Sequence, residues 1–496
     1  MNFLTHFKDI SSLSRYFLLI LSLMSVLALV VNSCATPEKS KTSSNREPDN
    51  MESYTCSDSH SISSNSISTS SSRWITGDPH SSSSRWITGD PHLHAHCSVY
   101  SASNESLVSM LVKNKLNVGS VLVFGLEYEL DRSLFTGEDH PLSLPEYLLH
   151  YDLEVSSFAA SHMGHLNILG LSDIDFSDDP FDHPRTGIPI VEWAKSQNDR
   201  VVVGMNHAQW WPDEDGVFPS TNNEYFGSSN LFEFPVHVAN GTSSFLEIER
   251  DKEWDTGSPI SKGAMNLWRV LQNSGFRIAI TGASDFLCMT QDLSLPNIMR
   301  TYILIDREFS YKAYLDGIKA GRTVSAIGSH DWMNFTISID NTTTTTDNST
   351  SFVARLGDEI QVRSSESLIV SITSNFSQTE TVRILVNGKS EDSFIVESGP
   401  QMQTRTLSLH KSSWITVQSS RVQSSSIYVI VDGKPIRVSA DDACYLVQYM
   451  DHLMDFVSKG ALKGLDKSTV EFDYQNARKI FIQRFLEAGG ESCPST

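Results

Sequence analysis

Basic residues are scarce in this 496-residue chain: 38 Lys and Arg stand against 59 Asp and Glu, a formal charge of -21. A surplus of that sign repels phosphate backbones, so nucleic acid is not expected as a partner. Cysteine is sparse too. Cys34, Cys56, Cys97, Cys288, Cys444 and Cys493 include no Cys-x-x-Cys pair, which leaves a zinc knuckle or thioredoxin-type site without its residues. Isolated disulfides remain open in an oxidising compartment. There is no Gly-x-Ser-x-Gly elbow and no Walker sequence, so neither an activated serine nor a phosphate-cradling loop is on offer. The N-terminal apolar run, Tyr16 to Val31, is short for a membrane span, which needs about 20 residues.

That run follows Lys8 and Arg15 and leads into Asn32-Ser33-Cys34. Residues 1–34 therefore read as a signal or lipoprotein segment, with a plain signal anchor as the alternative, and either places the rest of the chain outside the cytoplasm. Residues 35–84 are dominated by Ser, Thr, Asn and charge. Such a stretch cannot bury enough apolar surface to offset its ordering entropy, so a disordered tether is expected. Within it, Ser70 to His80 repeats as Ser82 to His92, and only the second copy continues into Leu93-His94-Ala95-His96. The first copy, with His80, reads as a decoy.

With 39% hydrophobic and 20% charged residues, the remainder has ordinary globular composition. Over 85–340, strand-like runs alternate with amphipathic helical ones, the pattern of an α/β domain with a mostly parallel sheet or barrel. The strands are expected at 118–124, 165–171, 201–204, 245–248, 278–280 and 302–305, the helices at 106–116, 188–195, 264–271 and 311–320. Over 341–439 the pattern turns to alternating β runs, with Asn387-Gly388 and Asp432-Gly433 as tight-turn signals; a β-sandwich is expected there. Residues 440–496 read as helical, with Ala477, Ile480, Phe481 and Phe485 on one stripe.

The chemistry centres on Gly89-Asp90-Pro91-His92-Leu93-His94. His92 and His94 are two apart, so on an extended strand both side chains leave the same face and can share a metal ion. Other coordinating residues stand at or near the ends of the expected strands: Glu154, His165, His207 and Asp285. In α/β barrels the carboxyl ends of the strands face one cavity, where such residues can meet; His165 begins its run, so its placement depends on how that strand is set. Asp90 could orient a ligand or merely turn the chain. One of Glu247 and Glu249 could face the cavity, Trp210-Trp211 could wall a pocket, and His96 and His330-Asp331 read as loop residues.

Trp86 to His94, Asp152-Leu153-Glu154-Val155, Gly164 to Gly170, Asn206-His207 and Ser284-Asp285-Phe286, taken in order, resemble the CehA/McbA-like metallohydrolases of the PHP (polymerase and histidinol phosphatase) superfamily. Tyr302 to Thr323 and Ile430 to Ile436 extend the likeness, which covers about Arg85 to Ala488. The resemblance implies a distorted seven-stranded βα barrel with His92, His94, Glu154, His165, His207 and Asp285 as metal ligands. A second histidine two residues after Asp285 is lacking, because Leu287 stands there; this points to one or two ions rather than three. Imidazole with carboxylate suits Zn, Mn or Fe, and such an ion activates water against a phosphoester, ester, carbamate or amide bond of a small-molecule or oligomeric substrate. The alternative, motivated by Leu287, is a non-catalytic surface-binding protein with a degenerate metal site. The barrel also brings Cys97 and Cys288 to neighbouring loops, where a disulfide across the mouth, thiolate ligation of the metal, or two unrelated buried thiols are the three outcomes.

Overall fold

Short apolar runs bounded by helices dictate the architecture of the first half. The computed structural model describes residues 84–125, 128–156, 164–176, 186–206, 233–248, 264–288, 299–328, 330–340, 352–458 and 467–494. All of these lie in one unit, Ser71–Thr496. The duplicated His80, and with it Trp210-Trp211, Glu249 and His207, lie outside the described residues. The protein is mixed α/β, with a large mixed sheet, antiparallel sheets and a few helices.

Seven strands lie side by side in chain order: β1 (Arg85–Leu93), β2 (Val118–Val123), β3 (Leu148–Val155), β4 (Leu166–Leu169), β5 (Val202–Met205), β6 (Phe245–Ile248) and β7 (Ala279–Gly282). The helices α1 (Asn104–Asn114), α2 (Ile188–Gln197), α3 (Phe234–Ala239) and α4 (Ala264–Asn273) connect some of them. Ser103 caps α1 by accepting the Ser106 N–H, and Lys115 ends it in the left-handed region, as start and stop signals of these types do. Leu107 and Leu111 of α1, Ile190 and Val191 of α2 and Leu267 and Leu271 of α4 share one buried cluster with Val121, Val123, Leu153 and Val203 of the strands.

The sheet is mixed rather than mostly parallel. β1–β2, β2–β3, β5–β6 and β6–β7 pair parallel, but β4 is antiparallel to both β3 and β5. The link from β3 to β4, residues 156–165, is shorter than the dozen or more residues that a parallel crossover takes, so the chain turns straight back.

Two further strands, β8 (Met299–Ile305) and β9 (Thr323–Ile327), flank α5 (Tyr311–Lys319). β8 pairs antiparallel with β1, and β9 antiparallel with β8. Tyr311, Tyr314, Leu315 and Ile318 of α5 pack with Ile87, Val118, Leu122, Leu169, Val202 and Phe245 on the second face of the sheet. The strands at the two ends of this seven-strand run also touch: Leu93 forms a parallel bridge with Phe286, just past β7, and the Gly282 N–H donates to Thr301 Oγ1 of β8.

Beyond three two-residue strands, His96–Cys97 paired with Tyr100–Ser101 and Val353–Ala354, the remaining strands of the described residues are β10 (Trp332–Ile339), β11 (Glu359–Val362), β12 (Ser367–Phe376), β13 (Glu380–Val386), β14 (Lys389–Val396), β15 (Gly399–Ser408), β16 (Ser413–Gln418), β17 (Val422–Ser424) and β18 (Ile427–Val431). β17 bonds to β9, so the large sheet runs on through β17, β16, β18 and β11. β10, β12 and β15, with Val353–Ala354 on the outer edge of β10, form a separate antiparallel sheet. Along β12 buried and more exposed residues alternate, and Leu368, Val370 and Ile372 share a core with Val382, Ile384, Ile415 and Val417 of the larger sheet.

Asn387 and Gly388 both take positive φ, 54° and 78°, and join β13 to β14 as a tight hairpin. Asp432 and Gly433 also take positive φ, 51° and 70°, yet no strand follows. Residues 434–438 lead instead into α6 (Ala440–Phe456), because the Asp432 N–H is already committed to the Val362 carbonyl and Ser439 caps a helix. α7 (Lys467–Glu487) buries Val470, Tyr474, Ala477 and Phe481 along one stripe, and a Cys444–Cys493 disulfide ties its trailing residues to α6. Among the described residues no helix is long and apolar enough to cross a membrane.

Candidate metal centre

Proline and a register shift set up the first two donors. Pro91 has no N–H to give the ladder, and the pairing of β1 with β2 slips between Asp90 and Leu93; a shift of this kind re-aims side chains at the end of a strand. His92 and His94 are both buried, with rings 4.9 Å apart and their Nε2 atoms 3.0 Å apart.

Each ring is held through its other nitrogen. His94 Nδ1 lies 2.9 Å from the Leu122 carbonyl oxygen, and His92 Nδ1 lies 3.0 Å from Glu247 Oε1. Both partners are acceptors, so each is matched by a proton on Nδ1, and the Nε2 atoms of the two rings are turned inward, where they can ligate a cation once they carry no proton. Those Nε2 atoms face carboxylate oxygens. His92 Nε2 is 3.5 Å from Glu154 Oε2 and 3.5 Å from Asp285 Oδ1; His94 Nε2 is 3.4 Å and 3.2 Å from the same two oxygens. Tetrahedral zinc with bonds of about 2.0–2.1 Å would separate its ligands by about 3.3–3.4 Å. The distances, the burial and the donor types therefore fit a bound divalent cation, and His92, His94 and Glu154 form a group able to hold one.

Electrostatics agree. Burial disfavours a cationic His92, but the Glu247, Asp285 and Glu154 carboxylates outweigh it and hold the ring well above the usual imidazole range. The cluster demands positive charge, which a proton or a metal ion can supply.

Surrounding residues fix the donors. Asn206 Nδ2 donates to Glu154 Oε1 at 2.8 Å and to Asn167 Oδ1 at 2.8 Å, and Asn167 Nδ2 donates to Glu247 Oε2 at 3.0 Å. Asp90 acts on the backbone rather than on an imidazole. Its Oδ1 accepts the His92 N–H at 3.1 Å and the Ser284 N–H at 3.3 Å, while its Oδ2 accepts the Ser284 hydroxyl at 2.5 Å. Burial pushes the Asp90 carboxyl up to about 7 against those hydrogen bonds. Asp285 itself has φ 44°, a left-handed conformation that Asp tolerates better than most residues.

The reversal of β4 explains His165. Leu166 is registered against Val155 and Met205, so the start of β4 lies at the carboxyl ends of its neighbours. His165 is buried there with Nδ1 3.1 Å from Glu154 Oε1; it meets the four donors through Glu154. His96 turns away and pairs with the buried Asp131. Leu287 is buried in the apolar core. Asp331 lies in a loop, as expected, and is buried there beside Arg421, accepting from Ser377.

Beneath the centre, Asp152 accepts the Gly170 and Leu171 N–H groups and the Tyr311 hydroxyl, so it braces the floor instead of reaching the donors. Glu247, Asn167, Asn206 and Ser284 are the supporting residues to which the sequence assigns no definite role. Their one signal is position, each standing at a strand end or beside a donor.

Cys97 and Cys288 are joined by a disulfide with Cα atoms 5.3 Å apart. His94, Asp285 and Cys288 also offer ligand atoms within 4.8 Å of one another. While the bridge is closed, the sulfur has no thiolate to give.

No family model matches this chain, and no curated protein does. Among solved structures it is similar to a two-domain protein from Bacteroides vulgatus ATCC 8482 containing a predicted PHP-like metal-dependent phosphoesterase. Identity there is 13% and the TM-score 0.37, over 71% of this chain and 97% of that one. It is also similar to the lesion-specific endonuclease PfuEndoQ from Pyrococcus furiosus, with 11% identity and a TM-score of 0.29 over 55% of this chain and 70% of that one.

Proposed function

We propose that this chain is a divalent-metal-dependent hydrolase of PHP type, with His92, His94, Glu154 and Asp285 as metal ligands and His165 and His207 completing the set. The observation that carries the proposal is that the two imidazole Nε2 atoms, 3.0 Å apart, each lie 3.2–3.5 Å from a Glu154 oxygen and from an Asp285 oxygen, with buried partners behind the rings. When bound, one or two ions of Zn, Mn or Fe lower the pKa of water and polarise a carbonyl or phosphoryl oxygen. The chain's own residues do the rest. Leu122 and Glu247 hold the two rings in the ligating tautomer, Asn206 steers Glu154, and Asp90 with Ser284 locks the end of β1 that carries His92 to the loop that carries Asp285.

The motif resemblance to the CehA/McbA-like branch favours a carbamate, ester or amide bond beside the phosphoester of the wider superfamily. A charge of -21 argues for a small or uncharged oligomeric substrate over a polyanion. The segment 16–34 and two disulfides favour an exported, membrane-anchored or secreted protein.

Elemental analysis of the purified chain tests the core of this proposal. Wild type and His96→Ala should each carry on the order of one equivalent of Zn, Mn or Fe, and His94→Ala less than about a tenth. A panel of phosphoester, carboxyester and amide substrates with added Mn or Zn then identifies the bond. Less than about a tenth of an equivalent in wild type would favour the non-catalytic surface-binding reading.

A further inference from the structure

The disulfide and the metal donors occupy the same few residues. Cys288 stands three residues after Asp285 and Cys97 three after His94, and the Cys288 sulfur lies within 4.8 Å of ligand atoms of both His94 and Asp285. Opening the bridge would not set Cys288 adrift. The Phe286 carbonyl accepts the His94 N–H at 2.6 Å, Leu93 bridges Phe286, and Phe286 and Leu287 are both buried. The backbone that carries Cys288 is thus pinned to β1 whether or not the sulfurs are joined.

We propose that Cys288 is a redox-gated metal ligand: reduction of the Cys97–Cys288 bridge frees its sulfur to join His94 and Asp285 on the metal ion. The inference rests on the metal reading above. A zinc–sulfur bond of about 2.3 Å beside zinc–nitrogen bonds of about 2.0–2.1 Å puts sulfur about 3.6 Å from a neighbouring nitrogen. From a position within 4.8 Å of those ligand atoms, a move of no more than about 1 Å reaches that spacing, which rotation about the Cys288 Cα–Cβ bond can supply once the S–S bond is gone.

The chemistry balances with a dithiol as reductant. The disulfide accepts two electrons and two protons and becomes two thiols, while the dithiol closes to a cyclic disulfide. Metal binding then displaces the Cys288 proton to solvent. The donor set changes from nitrogen and oxygen to one that includes a soft sulfur, which favours Zn over Mn. It also fills a position that a hydrolytic centre keeps open, so the reduced protein should bind metal more tightly and turn over more slowly.

Cobalt(II) reads this out without any substrate. In oxidised wild type, Co(II) should give visible d–d bands and no near-ultraviolet sulfur-to-cobalt band. After dithiol reduction and removal of the reductant, that band should appear. Cys97→Ser should show it with no reductant at all, and Cys97→Ser with Cys288→Ser should not. If d–d bands persist in Cys97→Ser and in reduced wild type but the sulfur band is missing from both, Cys288 is not a ligand and the metal site stands without it. If oxidised wild type gives no d–d bands, the metal reading fails and this inference falls with it.

Discussion

At the scale of single residues, the centre separates the groups that face a cation from those that hold them. Glu247 belongs to the second kind: its Oε1 lies 3.0 Å from His92 Nδ1 and its Oε2 accepts from Asn167. Glu247→Gln keeps the shape but removes the charge behind the ring, so metal affinity should fall roughly 10–100-fold while the fold survives. Titration against a competing chelator measures this, and an unchanged dissociation constant would contradict the role. What the sequence reveals of the site follows from the same division. His92 and His94 are legible because alternation along one strand fixes their common face. Glu247 is not, because Glu249 shares its periodicity and nothing in Phe245 to Ile248 says which end of the strand reaches the cavity.

At the scale of elements, the motif strand is shaped by the helix packed on it. A Cβ on Gly89 would lie 2.5 Å from Cε2 of Tyr314, a ring that is itself fully buried. Gly89→Ala should therefore destabilise the protein by about 1–3 kcal/mol, seen as a lower urea midpoint; an unaltered midpoint would mean that α5 yields freely. β1 begins at Arg85, inside the second copy of the repeat and after the whole of the first. Deleting residues 70–81 should thus leave both metal content and the urea midpoint as in wild type, and a deletion variant that folds but binds no metal would refute that. Most strands and helices are readable from apolar periodicity, whereas their directions are not. Leu166–Leu169 is buried along its whole length, so burial does not fix its direction, and the length of the preceding link decides its sense. The Asp432-Gly433 turn has the dihedrals that its residues suit, but those dihedrals do not specify what comes next.

At the scale of the whole molecule, the C-terminal helix is fastened to the first half through a buried acid. Glu233, at the start of α3, accepts from the Tyr474 hydroxyl of α7, the Thr186 hydroxyl and the Gly187 N–H. Burial raises its carboxyl from 4.5 to about 7 in spite of those bonds. The folded state therefore holds this proton more tightly than the unfolded chain. The associated stability is complete below pH 4.5 and is lost as the pH rises through about 7, a change of about 3 kcal/mol. Glu233→Gln should flatten the decline in thermal midpoint between pH 5 and pH 8, and parallel curves for the two proteins would rule the latch out. The pairing of β1 with β8 carries a different consequence, one of timing. Arg85 bonds opposite Ile305, so a chain emerging N-terminus first offers one edge of its motif strand long before that partner exists. At 5–20 residues per second the wait is on the order of tens of seconds, during which His92 and His94 sit on a strand paired on one side at most. Chaperone demand during synthesis should accordingly peak before residue 305 is made and drop once β8 closes that edge.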